Sequence, residues 1–424
     1  MVPITIGTPY KFTMTKKQIY MDNAATSFPK PPGVVEAMVR FMSEVGANPD
    51  RSHHVRSAEA SSIAANARNL LARLFNMPDP LRIIFTLNAT ESLNTVIFGV
   101  VKDGDHVIMT QMEHNSVIRP LRYLESKGAI EVSVAPCDRM GFLDVGALKK
   151  LIKKETALIV LNHASNVCGT IQDVMAVRQA TDDIPLLLDA AQTAGAVPID
   201  VMAMGIDFLA FTGHKGLYGP QGTGGLYIRE GRQVRPLKRG GTGTFSEQEH
   251  QPALFPDYME SGTRNNVGIA GLAEGVKFVL DTGMDRIREH EARLLETFVD
   301  GVIDLPGVTL YGPLKPVKQV SILSMTFDQA LPDGMHQSFG GCGNRAIPAT
   351  FESIHPAEAG SILEQEFEIF VRVGLHCAPL AHRALGSFPD GTVRFSLGYF
   401  NTLEEVQIAV SAVRKIAEKK DYLD

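Results

Sequence analysis

Between Arg82 and Ile228 short apolar runs of strand length alternate with amphipathic stretches of helical length, and this alternation constrains the fold more tightly than any other feature of the chain. The runs Ile83 to Thr86, His106 to Thr110, Glu131 to Ala135, Ala157 to Asn162, Pro185 to Asp189, Asp207 to Phe211 and Gly225 to Ile228 have the length and aliphatic content of strands. Helical spacing of apolar residues fills several of the gaps, at Thr90 to Val101, Val117 to Lys127 and Val145 to Lys153. The pattern predicts an α/β fold whose large domain holds a mostly parallel, seven-stranded sheet with helices on both faces. Ligands of such sheets bind beyond the carboxyl ends of the strands, so the residues that close each run are the first place to look for chemistry.

Past Asn265 the pattern changes. Long helices are expected over Val267 to Thr282 and Met284 to Leu305, followed by a smaller α+β unit that closes with a charged helix from Thr402 to Lys420. Asp281-Thr282-Gly283 offers a hinge. The expected division is an amino-terminal segment over 1–30, a large domain over 31–283 and a small domain over 284–424, and a chain of 424 residues is long enough for both cores. Met1 to Thr13 precede a second methionine, Met14, and read as a frayed extension or a start-site artefact. Leu331 to Thr350, with Gly340-Gly341-Cys342-Gly343-Asn344, reads as an inserted mobile loop.

A formal charge of −6 with no basic block argues against a nucleic-acid partner. No apolar stretch is long enough to cross a bilayer and the amino terminus lacks the order of a secretory signal, so a cytoplasmic enzyme with no membrane partner is expected. The four cysteines, Cys137, Cys168, Cys342 and Cys377, are scattered without a Cys-x-x-Cys pair, which points to free thiols rather than a metal site.

Several strand ends carry reactive side chains. Lys215 follows the run Phe208 to Phe211 in Thr212-Gly213-His214-Lys215-Gly216, where a desolvated amine can react with a carbonyl as a Schiff-base lysine; a surface lysine in a glycine-rich turn is the alternative. Asp189 ends the run Pro185 to Leu188 and can pair with a pyridinium nitrogen, or cap a helix. Asn88-Ala89-Thr90 opens a helix, and its free backbone N–H groups with the Thr90 hydroxyl make a phosphate site that Thr212 and His214 can complete. His114, after the run ending at Thr110, can stack on a cofactor ring and shuttle protons. Asn166 occupies another strand-end loop and can bond a ring hydroxyl or form a turn. Cys377 lies in Arg372-Val373-Gly374-Leu375-His376-Cys377-Ala378-Pro379, a loop sequence whose Arg and His residues favour a reactive thiolate. Arg394 alternates with apolar neighbours on an expected strand, placed to take an amino-acid carboxylate or a structural ion pair.

Together these segments resemble the cysteine desulfurases and selenocysteine lyases, in the class V aminotransferase group of fold-type I pyridoxal-phosphate enzymes. Tyr20-Met21-Asp22-Asn23-Ala24-Ala25-Thr26, Thr90-Glu91, Glu113-His114, Ser165-Asn166-Val167, Asp189 with Gln192, Gly213-His214-Lys215 and the Arg372 to Ala378 run follow in the family's order, from Gln18 to Ile416. The resemblance implies pyridoxal 5'-phosphate on Lys215, with Asp189, Gln192, Asn166, His114, Ala89, Thr90, Thr212, His214 and Thr263 around it. It also implies a homodimer with shared active sites, in which Thr263 reaches the neighbouring subunit's phosphate. Substrate would be lined by Arg394, Asn23, Ala25, Asn166 and Arg372. Ser52-His53-His54 and the 331–350 insertion depart from the family's pattern, and Cys168 is expected to pack.

The expected reaction is desulfuration of L-cysteine to L-alanine, with Lys215, Cys377 and His114 as catalytic groups and a sulfur-acceptor protein downstream. L-selenocysteine lyase activity, transamination or racemisation on the same scaffold, and a non-catalytic scaffold protein are the competing expectations.

Overall fold

The computed structural model describes residues 18–49, 54–328 and 353–418. Residues 1–17, Ser52, His53 and the 331–350 insertion with Cys342 lie outside them. The expected strands form one sheet in the order Ile83–Thr86, Gly224–Ile228, Phe208–Thr212, Leu186–Asp189, Thr156–Asn162, His106–Thr110, Glu131–Ala135. Neighbours run parallel except Gly224–Ile228, which is antiparallel to both strands beside it.

Alternate residues along these strands enter two separate cores, which is why the runs are apolar throughout rather than every second residue. Ile108, Ile159, Leu161, Leu186, Leu188 and Phe211 face one side, with Leu71 of the helix Val55–Leu74 and Val276 and Val279 of the helix Asn266–Thr282. Val107, Met109, Leu158, Val160, Leu187 and Ala210 face the other, with Val96 and Ile97 of Ala89–Val100 and Val117 and Leu121 of Asn115–Ser126. Burying each large aliphatic side chain contributes about 1.5–3 kcal/mol. The sandwich holds the carboxyl edge of the sheet rigid.

Gly283, at φ 87°, separates Asn266–Thr282 from the helix Met284–Val302. An antiparallel sheet follows, with strands in the order Ser353–Ile354, Ile322–Asp328, Thr392–Ser396, Arg372–Gly374, and Val308–Tyr311 also pairs with Ile322–Asp328. Its core takes Leu294, Leu295 and Phe298 from Met284–Val302, and Val406, Ala409, Val413 and Ile416 from Leu403–Glu418, at the spacing of one helical face. The amino-terminal segment joins the two units. Ile19–Tyr20 pairs with Ile369–Phe370, Asp22 bridges to Ser396, and residues 26–30 then reach the lysine loop.

Candidate active site

Lys215 lies three residues beyond the strand Phe208–Thr212, half-buried. Burial lowers its amine from 10.5 to about 8, and of the charges acting on it Asp189 opposes that shift most. The neutral, nucleophilic form is therefore within reach near neutral pH. The backbone around it is fixed from a distant part of the chain. Ser27 donates its hydroxyl to the Lys215 carbonyl at 2.9 Å, while the Ser27 N–H and Lys30 Nζ donate to the His214 carbonyl at 3.0 and 2.8 Å. On the other side Gly195, at φ +85°, lies so close that a Cβ there would sit 2.2 Å from the Gly216 oxygen.

Asp189 ends Leu186–Asp189 and is 3% exposed. The turn after it is not a helix, so the helix-capping alternative does not hold. Its Oδ1 accepts the Ala191 N–H at 2.9 Å, and burial raises its pKa against that bond and the Lys215 charge. A buried carboxylate with so little internal compensation suits a protonated ring nitrogen.

The helix Ala89–Val100 is capped by Asn88, whose Oδ1 accepts the Glu91 N–H at 3.0 Å; the backbone N–H groups of Ala89 and Thr90 have no acceptor within the helix. Thr90 Oγ1 stands 2.7 Å from Ser116 Oγ, which stands 2.8 Å from Nδ1 of His114. Nδ1 also accepts the Ser116 N–H at 3.1 Å, so the ring proton sits on Nε2. Burial, with the Lys215 charge second, lowers His114 from 6.5 to about 4 and keeps it neutral. Thr212 is buried at the same edge, its hydroxyl 3.5 Å from the Thr223 carbonyl, and His214 has a buried Nδ1 with no partner.

Asn166 is a junction. Its Nδ2 donates to the His376 carbonyl at 2.6 Å, its own carbonyl accepts Nη1 of Arg394 at 2.9 Å, and its Oδ1 is buried and unpartnered. Arg394, 3% exposed, donates Nη2 to Asp22 Oδ1 at 2.8 Å and keeps Nε without a partner. Arg372 is its cross-strand partner and is exposed. Cys377 is exposed on a short turn, and its carbonyl accepts the Asn115 N–H at 2.7 Å, next to His114.

Three residues have other engagements. Asn23 bonds the Ser396 carbonyl, Asn401 Oδ1 and the Phe28 N–H, at 3.0, 3.1 and 3.2 Å. Gln192 donates to the Ala24 carbonyl at 3.1 Å, beside the half-exposed Ala25. Thr263 is exposed and lines a cleft with Glu91, Gly222, Thr223 and Lys238. Cys168 is fully buried among Met112, Val167, Ala378 and Ala381, in the packing role expected of it. Sequence reasoning gave no role to Asp22, Glu113 or Ser116. Glu113 is fully buried, with Oε1 accepting from Thr110 and from the Asn162 N–H at 2.7 and 2.8 Å, and Oε2 without a partner. An acidic residue directly before the strand-end histidine and a hydroxyl two residues after it were the signals available.

A lysine poised for deprotonation, a buried carboxylate, a neutral imidazole, a helix start with free N–H groups and unpartnered buried atoms on Asn166 and His214 fit pyridoxal phosphate. On this sheet they define the architecture of the fold-type I pyridoxal-phosphate enzymes. The aminotransferase class-V family model matches residues 19–341 and 341–408. A probable cysteine desulfurase of Methanothermobacter thermautotrophicus is 32% identical over 413 residues, 95% of this chain and 96% of its own length. The cysteine desulfurase IscS of Dictyoglomus turgidum is 32% identical over 416 residues, 95% of each chain. Among solved structures, the apo cysteine desulfurase from Thermococcus onnurineus NA1 superposes with a TM-score of 0.82 at 32% identity, covering 94% of both chains. The chain belongs to the class-V aminotransferase family and, within it, to the cysteine desulfurases.

Proposed function

We propose that the protein converts L-cysteine to L-alanine as a pyridoxal-phosphate-dependent cysteine desulfurase and takes the sulfur onto Cys377 as a persulfide. The observation that supports this reading is the backbone tether between the Cys377 carbonyl and the Asn115 N–H, which joins the turn bearing an exposed thiol to the residue after His114, whose ring feels the Lys215 charge.

Lys215 would hold the cofactor, Asp189 its ring nitrogen, Asn166 and Gln192 its ring oxygen, and Ala89, Thr90, Thr212 and His214 its phosphate. Pyridoxal phosphate, when bound, supplies an electron sink for a carbon that loses its proton. Arg394 binds the substrate carboxylate through the face of its guanidinium that has no internal partner, with Arg372 across the strand pair and Asn23 and Ala25 lining the pocket. Lys215 Nζ takes the Cα proton, for which its lowered basicity suits it. His114 holds a proton on Nε2 beside the leaving sulfur. The Cys377 thiolate attacks the substrate sulfur; an S–S bond forms as the Cβ–S bond breaks, the electron pair stays with the carbon skeleton, and a proton delivered to Cβ completes alanine.

The active unit is a homodimer in which Thr263 reaches the neighbouring subunit's phosphate site. Val35, Val39 and Met42 support this, because three large apolar side chains more than half exposed at helical spacing are a surface that a partner covers. A cytoplasmic location and a sulfur-acceptor protein complete the reading.

Sulfide, alanine, pyruvate and amino-acid chirality are measured with L-cysteine and L-selenocysteine as substrates. Alanine in step with sulfide, and its loss from cysteine in Cys377→Ala with the cofactor absorbance intact, are the expected results. Undiminished turnover of cysteine by that variant removes the role of Cys377, and activity confined to selenocysteine replaces the substrate.

A further inference from the structure

Cys377 is held in a conformation that its own sequence does not favour. His376 and Cys377 both lie in the left-handed region, at φ 47° and 59°. Neither is the glycine or asparagine that tolerates such angles, and a left-handed residue costs about 1–2 kcal/mol each. Contacts from elsewhere must therefore hold the turn. Two of them grip the backbone: Asn166 Nδ2 on the His376 carbonyl at 2.6 Å and the Asn115 N–H on the Cys377 carbonyl at 2.7 Å. The Ala378 N–H also closes the turn on the Leu375 carbonyl at 2.9 Å, and two buried imidazoles pack against each other beside it.

We infer that His382, together with His376, is a positioning residue for the sulfur-accepting thiol: the two buried rings form a floor that locks the turn presenting Cys377. His382 lies on the helix Pro379–Leu385 and is 0% exposed; His376 is 5% exposed; the ring centroids are 5.5 Å apart. His376 Nε2 stands 3.1 Å from Thr392 Oγ1, tying the turn to the strand that carries Arg394. His382 Nδ1 stands 2.7 Å from Ser387 Oγ, while its Nε2, like Nδ1 of His376, is buried without a partner. Ser387 thus fixes the ring plane of His382, against which the His376 ring packs at an interplanar angle of 39°. Burial, aided by Arg394, holds both rings neutral, so they act as directional wedges rather than as charges. Neither ring is assigned contact with the substrate. Their effect reaches the reaction through the sulfur atom of Cys377, whose line of attack a small shift would spoil.

The inference rests on the desulfurase reading, and its test separates the two. His382→Phe keeps the ring volume and removes both ring nitrogens, His382→Gln keeps a polar end group able to bond Ser387, and Ser387→Ala removes only the bond that fixes the ring. In the holoenzyme, His382→Phe is expected to lower kcat for cysteine by about 10–100-fold with KM and the cofactor absorbance unchanged. His382→Gln should recover most of that loss, and Ser387→Ala should fall between. In the cofactor-free protein, the rate of iodoacetamide alkylation at Cys377, read by peptide mass spectrometry, should change in the same order. Should His382→Phe not fold, Ser387→Ala carries the comparison alone. Wild-type kcat and alkylation rate in the variants, or loss of kcat only in proportion to lost cofactor, would overturn the inference. If the wild type makes no alanine from cysteine, the desulfurase reading falls instead, while the alkylation series still decides whether the histidines set the thiol.

Discussion

The backbone N–H of Asn115 donates to the carbonyl of Cys377 at 2.7 Å. Asn115 is the first residue of a helix that His114 caps, so the imidazole and the backbone of Cys377 are anchored on consecutive links of one hydrogen-bonded chain although they lie far apart in the sequence. The fixed pairing has a direct consequence. His114→Ala should slow alanine formation while leaving Cys377 as open to alkylation as in the wild type, since the backbone tether remains. Parallel loss of thiol reactivity would mean that the ring, not the backbone, sets the turn.

If Lys215 carries the cofactor as proposed, its protonation governs how the cofactor is acquired. Its amine is held at about 8 in the folded chain instead of 10.5, and only the neutral amine attacks an aldehyde. The second-order rate of visible-absorbance gain on mixing cofactor-free protein with pyridoxal phosphate should therefore rise with pH and level off above about 8. A rate still climbing steeply at pH 10 would place the amine in solvent.

Glu113 makes stability depend on pH. Burial raises its carboxyl from 4.5 to about 8, with Thr110 and the Asn162 N–H opposing and Asp189 adding to the rise. Between those two values the folded protein keeps a proton that the unfolded chain releases, so this group's contribution to stability falls as pH rises through the window. Glu113→Gln cannot lose that proton. The variant's melting temperature should gain on that of the wild type from pH 5 to pH 8; a constant difference would show that Glu113 does not titrate there.

Asp22 pairs with the guanidinium proposed above to take the substrate carboxylate. Its Oδ1 occupies Nη2 of Arg394 while its side chain stays one-fifth exposed. Asp22→Asn removes the counter-charge of a buried cation, which should lower stability by about 1–3 kcal/mol. The vacated cation then favours a substrate carboxylate, so KM for cysteine should fall. A raised KM would instead make Asp22 the residue that aims Arg394.

Gly195 separates the Asp189 turn from the lysine loop. A methyl group there meets the Gly216 oxygen at 2.2 Å and carries the cost of φ +85° as well. Gly195→Ala should destabilise the protein by more than about 1 kcal/mol and weaken retention of the cofactor. Thermal melting and absorbance after gel filtration measure both effects.

Strand ends were legible in the sequence to within about one residue, because a strand buried on both faces is a continuous apolar run with sharp limits. Helix starts were equally legible but for one. The helix expected from Val117 begins at Asn115, since the His114 side chain rather than a Ser, Thr, Asp or Asn makes the cap. The antiparallel direction of Gly224–Ile228 left no local mark, as its residues fit either pairing.

By itself the sequence determined which side chains stand at the edge of the sheet, because a run of apolar residues fixes where a buried strand stops and names the residue that follows. Only the tertiary structure decided their partners. Ser27 with Lys215, Asn166 with His376 and Asp22 with Arg394 join positions 188, 210 and 372 residues apart. Periodicity is a local property, set by neighbours within one or two turns of chain. A hydrogen bond across such a separation exists only once the two sheets and the amino-terminal segment have packed, and its geometry is written in that packing.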